Sequence, residues 1–289
     1  FGYFKDNENS FEMFEKIFIF CLVWTFGAVL LDESRLLFDR FLKDLLEKNG
    51  SKSQFPPNTK VFDFFIDLNK NQWSVWTDGK TGQELTSNNS IEQILIPTNE
   101  SASSIFLSRL LIHHSNHVLI HGPESCKTLV VKTLMNNILD KSFDCKNLPL
   151  ANCSVAGNIL STLRSFMHKS KGVFGPLMNQ QLVIFLDNLG SVKPEVYGAQ
   201  PPLELIRQFF DYGGWYNTAN VEFQTIVGTT LIAAMGPEGG GLFGIPERLL
   251  RHFFYFHIPK YQSESMSTIL TQLMNTSFSR YAEEIREKI

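Results

Sequence analysis

From about residue 94 to residue 260 the sequence alternates short apolar runs with longer segments of helical periodicity, and this alternation restricts the fold most strongly. The clearest apolar runs are HVLIHG (His117–Gly122), QQLVIFLDN (Gln180–Asn188), TTLIAAMG (Thr229–Gly236) and FFYFHIPK (Phe253–Lys260). Strands that alternate with helices form parallel sheets whose two faces are covered by helices. We therefore predict an α/β domain, with the wholly apolar QQLVIFLDN run as a central strand.

Two more strands and an intervening helix complete this predicted domain. One short strand is expected to end at Ile96-Pro97-Thr98, and another is expected at NLPLANCSV (Asn147–Val155). A helix is expected from about Ser101 to His113. His113, His114 and His117 form an HHxxH group at its end, which we interpret as an exposed turn and not as a zinc site.

The segment before residue 94 has a different pattern. Residues 1–48 have apolar residues at three- and four-residue spacing, which predicts helices. Turn-forming residues follow at Asn49–Asn58. Alternation in KVFDFFIDLNKNQWSVWTD then predicts a β-hairpin across Asn69-Lys70-Asn71.

Charge and hydropathy exclude two classes of partner. With 26 basic and 29 acidic residues the net charge is −3, whereas nucleic-acid binding calls for a basic surface. The apolar run Ile17–Leu31 is shorter than the roughly 20 residues that cross a bilayer. We predict a helix buried between protein layers, no membrane or nucleic-acid partner, and a cytoplasmic location.

The stretch VLIHGPESCKTLVVKTLM (Val118–Met135) has the frame of a phosphate-binding loop between a strand and a helix. In such a loop glycines let backbone N–H groups face the phosphates, a lysine neutralises charge and a hydroxyl holds Mg²⁺. The following helix adds its positive N-terminal end. Lys127 and Thr128 stand at the lysine and hydroxyl positions.

The rest of the motif departs from GxxxxGK[ST]. Cys126 stands where glycine normally precedes the lysine, and His121 stands where the first glycine belongs, with Gly122 and Pro123 after it. Glu124 adds a negative charge at the apex of the loop. The motif alone leaves two interpretations open, a nucleotide site or an ordinary strand–turn–helix.

A second feature favours a nucleotide site. LVIFLDN (Leu182–Asn188) has the form of a Walker B strand, whose aspartate, here Asp187, meets Mg²⁺ beside the loop. The next residue is normally an acid that orients and deprotonates the attacking water. Asn188 can position a water but cannot accept its proton, so Mg²⁺ binding is compatible with the sequence and efficient hydrolysis is not.

The stretch DNLGSVKPEVYGAQPPLELIRQFFDYGGWYN, followed by AAMGPEGGG and LRHF, resembles the third AAA+ module of dynein heavy chains, above all of the axonemal class. The resemblance covers roughly residues 94 to 260, and IFIFCLVWTFGAVLLDESRLLFDRF resembles the segment that precedes this module. It implies an AAA+ P-loop fold with a five-stranded parallel sheet between helices. It also implies a microtubule motor for ciliary beating, located in the cilium or axoneme, whose partners are adjacent modules, microtubules and accessory chains.

The same resemblance assigns roles to individual residues. Lys127 and Thr128 match the Walker A lysine and hydroxyl, and Asp187 matches the Walker B aspartate. Asn188 and Gly190 replace the family's second acid and an asparagine, and Gly236 stands where many AAA+ proteins have a sensor asparagine. Arg248, which Arg251 could assist from one turn later, matches the arginine that points at the neighbouring module's nucleotide. The stretch that packs on adenine corresponds to Ile96, Pro97 and Thr98.

The resemblance also divides the chain. Residues 1–50 would end the preceding module, 51–90 would form the hairpin and a connecting loop, 91–260 the large α/β subdomain, and 261–289 the start of a helical lid. We expect a structural and regulatory module with a degenerate site that holds ADP, or ATP with Mg²⁺, without hydrolysis. Two alternatives remain: an active ATPase, and a nucleotide-free scaffold.

Overall fold

The structure is a computed structural model that describes residues 8–57, 59–78, 94–123, 126–177, 180–217 and 221–277. The chain divides into two compact units. One consists of Phe1–Ser104 and Pro259–Ile289, and the other of Ile105–Ile258.

The first unit begins with two helices and a β-hairpin. In chain order its elements are α1 (Glu8–Leu22), a π-helical continuation (Val23–Gly27), α2 (Asp32–Lys48), β1 (Phe64–Asp67) and β2 (Gln72–Val75). The two strands are antiparallel, with Asp67 paired to Gln72, which confirms the predicted hairpin. A small core joins these elements through Ile19, Val23, Leu42, Leu46 and Val61.

The apolar run Ile17–Leu31 is not buried on all sides, so that prediction is wrong. Ile19 and Val23 are buried, but Phe18 and Phe26 are 59% and 65% exposed. A helix packed on one side buries a single stripe of side chains, and the small core of this unit covers only that stripe. None of the helices in the described ranges is long and apolar enough to span a membrane.

The predicted strand ending at Ile96-Pro97-Thr98 is also absent, because residues 94–98 belong to no strand. They lead into α3 (Asn99–His113). The backbone N–H of Thr98 donates to Ser101 Oγ (2.9 Å), and the N–H of Ser101 donates to Thr98 Oγ1 (3.3 Å). Thr98 thus caps a helix in a reciprocal capping box, and Pro97 has no N–H to offer a neighbouring strand.

The second unit contains the α/β domain. After the last turns of α3, its elements in chain order are β3 (Val118–His121), α4 (Lys127–Thr133) with a π-helical continuation (Leu134–Ile138), β4 (Phe143–Pro149), α5 (Ala156–Ser165), β5 (His168–Ser170), β6 (Val173–Gly175), β7 (Gln181–Asp187), α6 (Pro201–Tyr212), β8 (Gly214–Tyr216), β9 (Phe223–Thr225), β10 (Thr229–Met235), α7 (Glu247–Leu250) and β11 (Phe254–His257).

Five of these strands form one parallel sheet in the order β11-β3-β10-β7-β4, which confirms the predicted fold class. Leu182 to Leu186 of β7 are each 0% exposed, because both faces of that strand are covered. The buried residues of the two flanking helices include Val130 and Val131 of α4 and Leu203, Ile206 and Phe209 of α6. Since all five strands run in one direction, the loops that follow them meet at one edge of the sheet.

The prediction from sequence misplaced one strand and did not include two short hairpins. β4 begins at Phe143, four residues earlier than predicted, and it is an edge strand on which Lys146 and Asp144 form an ion pair (2.8 Å). A strand with charged side chains contains no continuous apolar run, so it was not recognised from the sequence. The antiparallel pairs β5–β6 and β8–β9 have strands of only three residues each.

The HHxxH group separates into exposed and buried members. His113 and His114 are exposed, as predicted, but His117 is partly buried and its Nδ1 accepts the backbone N–H of Leu231 (3.0 Å). Nowhere in the described ranges do three or more His, Cys, Asp or Glu side chains come together in a way that could hold a metal ion.

The described chain ends in α8 (Ser263–Ser277), which belongs to the first unit. Ser265 Oγ on this helix donates to Glu100 Oε1 (3.1 Å). The final residues, 278–289, which were predicted to begin the helical lid together with α8, lie outside the described ranges.

Candidate functional site

The predicted phosphate loop connects β3 to α4 at the carboxyl edge of the sheet. Cys126, directly before the helix, has φ 50° and ψ 30°, the left-handed conformation. Glycine adopts this conformation without steric cost, whereas a residue with a Cβ is strained in it. The loop therefore keeps the backbone geometry of a glycine at the position where the motif lacks one. Glu124, the acidic residue predicted at the apex, lies outside the described residues.

Lys127, the first residue of α4, turns back onto this loop. Its Nζ donates to the carbonyl oxygens of Gly122 (2.7 Å) and Pro123 (2.5 Å). These bonds hold the ammonium group at the mouth of the loop, beside the N-terminal end of the helix. A phosphate could attract the same ammonium away, because a charged acceptor forms a stronger hydrogen bond than a carbonyl.

The two predicted magnesium ligands are in contact. Thr128 on α4 and Asp187 at the end of β7 are joined by a hydrogen bond of 2.9 Å from Thr128 Oγ1 to Asp187 Oδ1. Two neighbouring ligands of an octahedral Mg²⁺, each about 2.1 Å from the metal, are about 3.0 Å apart. The side chains present therefore fit a magnesium ion in donor chemistry and in spacing.

Asn188 follows Asp187 but leaves the strand. Its φ is 60°, in the left-handed region, and its side chain is exposed. Asparagine tolerates this conformation better than most residues. An amide at this position can donate and accept hydrogen bonds, but it cannot take a proton from water at neutral pH.

Gly190 and Gly236 lie where the chain passes close to other backbone. A Cβ on Gly190 would lie 3.2 Å from the carbonyl oxygen of Phe243, whose N–H donates to Gly190 O (2.7 Å). A Cβ on Gly236 would lie 4.0 Å from Gly122 O and 3.0 Å from Leu242 Cδ1. Position 236 is therefore at the base of the phosphate loop, where a sensor side chain would begin, and this chain has none there.

The two predicted arginines lie at α7 and are bound to α6. Arg248 Nη2 donates to Glu204 Oε1 (2.6 Å), and Arg251 Nη2 donates to Asp211 Oδ1 (2.8 Å). Both arginine side chains stay more than half exposed, at 61% and 62%. They are presented on the surface of the module, away from its buried sheet, as an arginine that acts on another module would have to be.

Ile96, Pro97 and Thr98 belong to the first unit, whereas the loop and Asp187 belong to the second. Ile96 and Thr98 are buried and Pro97 is partly buried. Their predicted contact with adenine stays a prediction.

Sequence reasoning missed a histidine pair next to the loop. His121 and His257 end β3 and β11, and their Nδ1 atoms are 3.3 Å apart. Burial, and after it the charge of Lys127, lowers the pKa of His121 below its ordinary value. A signal was available, because His121 occupies the first glycine position of the motif, but only the sheet brings His257 beside it.

Two family models match the chain. Residues 83–261 match the model described as P-loop containing dynein motor region, and residues 4–78 match the dynein heavy chain AAA lid domain. The first match includes the loop, β7 and both arginines. The second includes α1, α2 and the β1–β2 hairpin.

Several full-length relatives align with most of the chain. Dynein axonemal heavy chain 12 of Rattus norvegicus is 33% identical over 287 residues, which is 92% of this chain and 9% of the relative. Dynein axonemal heavy chain 3 of Mus musculus is 28% identical over 95% of this chain and 7% of its own length. The dynein-1-beta heavy chain of the flagellar inner arm I1 complex of Chlamydomonas reinhardtii is 27% identical over 94% of this chain and 6% of its own. The chain thus spans less than a tenth of each of these relatives.

Proposed function

The chain belongs to the dynein heavy chain family, within its P-loop motor region, and from this premise we propose that it is a structural and regulatory AAA+ module that holds a nucleotide without hydrolysing it efficiently. The parent protein would be an axonemal dynein heavy chain, a microtubule-based, ATP-driven motor of ciliary beating. This module would be the third of its motor ring. Its partners would be the adjacent modules of the same chain, with microtubules and accessory chains contacted by the parent.

Nucleotide retention is supported by the groups that recognise phosphate. The loop keeps Lys127 at the start of α4 and a glycine-like backbone at Cys126. Thr128 and Asp187 converge at the spacing of two magnesium ligands. A bound Mg²⁺ would neutralise phosphate charge and orient the diphosphate. Together these residues favour ADP, or ATP with Mg²⁺, as the ligand.

The loss of hydrolysis is supported by the groups around the water position. Asn188 replaces the acid after Asp187, and Gly236 provides no sensor side chain at the base of the loop. A general base contributes roughly 10²–10⁴-fold to a rate, so its replacement by an amide slows turnover by a similar factor. The observation that carries the proposal is the Thr128–Asp187 contact directly beside Asn188. Binding groups are intact where the base is missing.

Arg248 is proposed to act on the nucleotide of the neighbouring module, with Arg251 beside it. Both arginine side chains are more than half exposed, and they pair with Glu204 and Asp211 of α6. Each ion pair is on the surface, where such pairs contribute little to stability. Either arginine can therefore exchange its carboxylate for a phosphate at small cost.

One observation favours the alternative of a nucleotide-free scaffold. Lys127 Nζ already donates to Gly122 O and Pro123 O, so the loop satisfies its own lysine. In that case the module would serve only to connect its neighbours within the ring.

Bound nucleotide and turnover, measured on the purified chain, separate these functions. Nucleotide released by denaturation is identified by chromatography, and ATP turnover is followed over hours. We expect ADP at a substantial molar ratio and negligible turnover. Asn188→Glu should increase turnover, and Lys127→Ala should remove the bound nucleotide. Lys132→Ala, on the exposed side of α4, is the matched control.

The outcomes are distinct. Steady hydrolysis by the unaltered chain that Lys127→Ala abolishes would show an active ATPase. A chain that carries no nucleotide, binds none when it is added, and gains no turnover from Asn188→Glu would be a nucleotide-free scaffold.

A further inference from the structure

Two histidines end neighbouring strands beside the phosphate loop, and the proposed function uses neither. His121 is the last residue of β3 and His257 the last of β11, and the two are partners in the parallel ladder. Their Nδ1 atoms are 3.3 Å apart, within hydrogen-bonding distance. His257 is only 5% exposed, so the pair is built into the end of the sheet.

A hydrogen bond between two Nδ1 atoms limits the protonation states of the pair. In the neutral pair one Nδ1 carries a proton and the other accepts it, so the two rings are different tautomers. One added proton creates an imidazolium whose hydrogen bond to the neutral ring is charge-assisted and therefore stronger. A second added proton would put donors and positive charges face to face. The pair can thus accept one proton but not two.

The groups around His121 determine the pH at which the pair takes up that proton. The ammonium of Lys127 donates to the carbonyl of Gly122, the residue after His121. Tyr255 of β11 stacks on the His121 ring with centroids 5.6 Å apart. On the other side, β10 places the uncharged Met235 in register with His121. Burial, and after it the charge of Lys127, lowers the pKa of His121, which disfavours a proton on that ring while the loop is empty.

We propose that the His121–His257 pair is the proton-accepting part of this anion site, and that it takes up one proton from solvent when a nucleoside diphosphate binds at the loop. The inference rests on the proposed nucleotide binding. The negative charge of the diphosphate offsets the ammonium of Lys127 and favours a positive charge on the imidazoles beside it. His121, which stands where the motif has its first glycine, then adds a cation that a glycine could not supply.

The direction of the pH dependence follows from linkage. The pKa of the pair is higher in the bound state than in the free state, so binding takes up a proton between these two pKa values. Affinity therefore rises as pH falls from above the bound-state pKa to below the free-state pKa. Each unit by which the bound anion raises the pKa strengthens binding by about tenfold over that window.

The test measures proton uptake directly. After bound nucleotide has been removed, ADP with Mg²⁺ is titrated calorimetrically into the full chain at about pH 6 and about pH 8, around the ordinary pKa of histidine. Each titration is repeated in buffers of different ionisation enthalpy, which gives the number of protons bound. The phosphate of ADP itself titrates near pH 6, so the informative quantity is the difference between the unaltered chain and His257→Asn. His168→Asn, an exposed histidine of β5, is the matched control.

We expect the unaltered chain and His168→Asn to take up the same number of protons, and His257→Asn to take up fewer and to bind more weakly at acid pH. Equal proton uptake in all three proteins would overturn the inference while leaving nucleotide binding in place. No ADP binding at any pH would overturn both proposals. NMR titration of the His121 and His257 imidazoles provides a check that needs no variant, and pKa values that ADP does not raise would likewise overturn the inference.

Discussion

The pKa of the partly buried His117 imidazole depends strongly on its surroundings. Its Nδ1 accepts the N–H of Leu231 at 3.0 Å, and its ring packs on Phe210 with centroids 4.4 Å apart. Burial, followed by the nearby His252, lowers the pKa of His117 to about 4. An imidazolium carries a proton on both ring nitrogens and therefore could not accept a hydrogen bond from the Leu231 N–H. The native chain therefore holds His117 neutral.

This pKa predicts an acid-dependent loss of stability. The unfolded chain binds a proton at His117 near pH 6.5 and the folded chain only near pH 4, so the free energy of unfolding falls as pH decreases through that interval. The loss is on the order of 2–3 kcal/mol. Urea unfolding at about pH 7.5 and about pH 5 should show a smaller pH difference for His117→Gln than for the unaltered chain. The exposed His113→Asn should retain the full difference, and an unchanged difference in His117→Gln would contradict the assignment.

The backbone conformations of Cys126 and Asn188 could not be predicted from the residue types alone. Both have left-handed backbones, with φ of 50° and 60°. A motif search scores Cys126 as a missing glycine, because it compares side chains and not backbone angles. The surrounding strand and helix impose the glycine-like conformation on a residue with a Cβ. The sequence predicted a damaged loop, whereas the structure shows that its backbone at this position is kept.

At the scale of elements, α6 and α7 are joined by a ladder of ion pairs. Arg207 on α6 pairs with Glu204 (2.8 Å) and also with Asp211. Arg248 and Arg251 occupy the outer ends of the ladder. Each carboxylate thus keeps Arg207 as a partner when its outer arginine leaves. Arg207 is the shared member, and the two outer arginines are the detachable ones.

This arrangement predicts an order of effects on stability. Arg207→Ala should lower the free energy of unfolding more than Arg248→Ala or Arg251→Ala, because it leaves both carboxylates with one partner fewer. Each variant removes one guanidinium charge, and the two outer arginines, at 61% and 62% exposed, serve as controls for each other, whereas Arg207 is 23% exposed. Urea denaturation at low and high salt measures the effect, and added salt should reduce the differences. An equal decrease in the free energy of unfolding in all three variants would show that Arg207 contributes no more than either outer arginine.

Most elements of the α/β domain could be predicted from sequence because their signals are local. β7 is apolar from Leu182 to Leu186 and β10 from Leu231 to Met235. α6 begins with two prolines and is followed by Gly213 in a left-handed conformation. β4 was misplaced because an edge strand carries polar side chains. The β5–β6 hairpin was missed because its strands are three residues long and β5 is exposed.

The candidate site was predictable only in part, since it joins residues distant in the chain. Lys127, Thr128 and Asp187 were found because each belongs to a motif, and the structure brings Thr128 and Asp187 into contact. His257 belongs to no motif and reaches the loop through strand pairing between β11 and β3. The partners of Arg248 and Arg251 likewise come from a helix some 40 residues away.

At the scale of the whole molecule, the second unit is self-contained around its own hydrophobic core. That core includes Leu119 of β3, Leu186 of β7, Ile206 of α6 and Leu249 of α7. The elements that carry the loop, the Walker B aspartate and the arginines are therefore packed together. Although the chain spans only 9% of the rat relative, effects of a ligand at this loop can be measured on the chain itself.

Nucleotide binding should therefore stabilise this chain and protect a defined part of it. A ligand that binds only the folded state raises the free energy of unfolding by about 2.7 kcal/mol at a concentration 100 times its Kd. We expect ADP with Mg²⁺ to produce such a rise, and hydrogen exchange to slow in β3, the first turn of α4 and the end of β7. Gly122 directly follows β3, Lys127 begins α4 and Asp187 ends β7. Lys127→Ala should abolish both effects, whereas Lys132→Ala should preserve them. Protection confined to other parts of the chain would place the nucleotide elsewhere, because the charge that holds a diphosphate is concentrated at this loop.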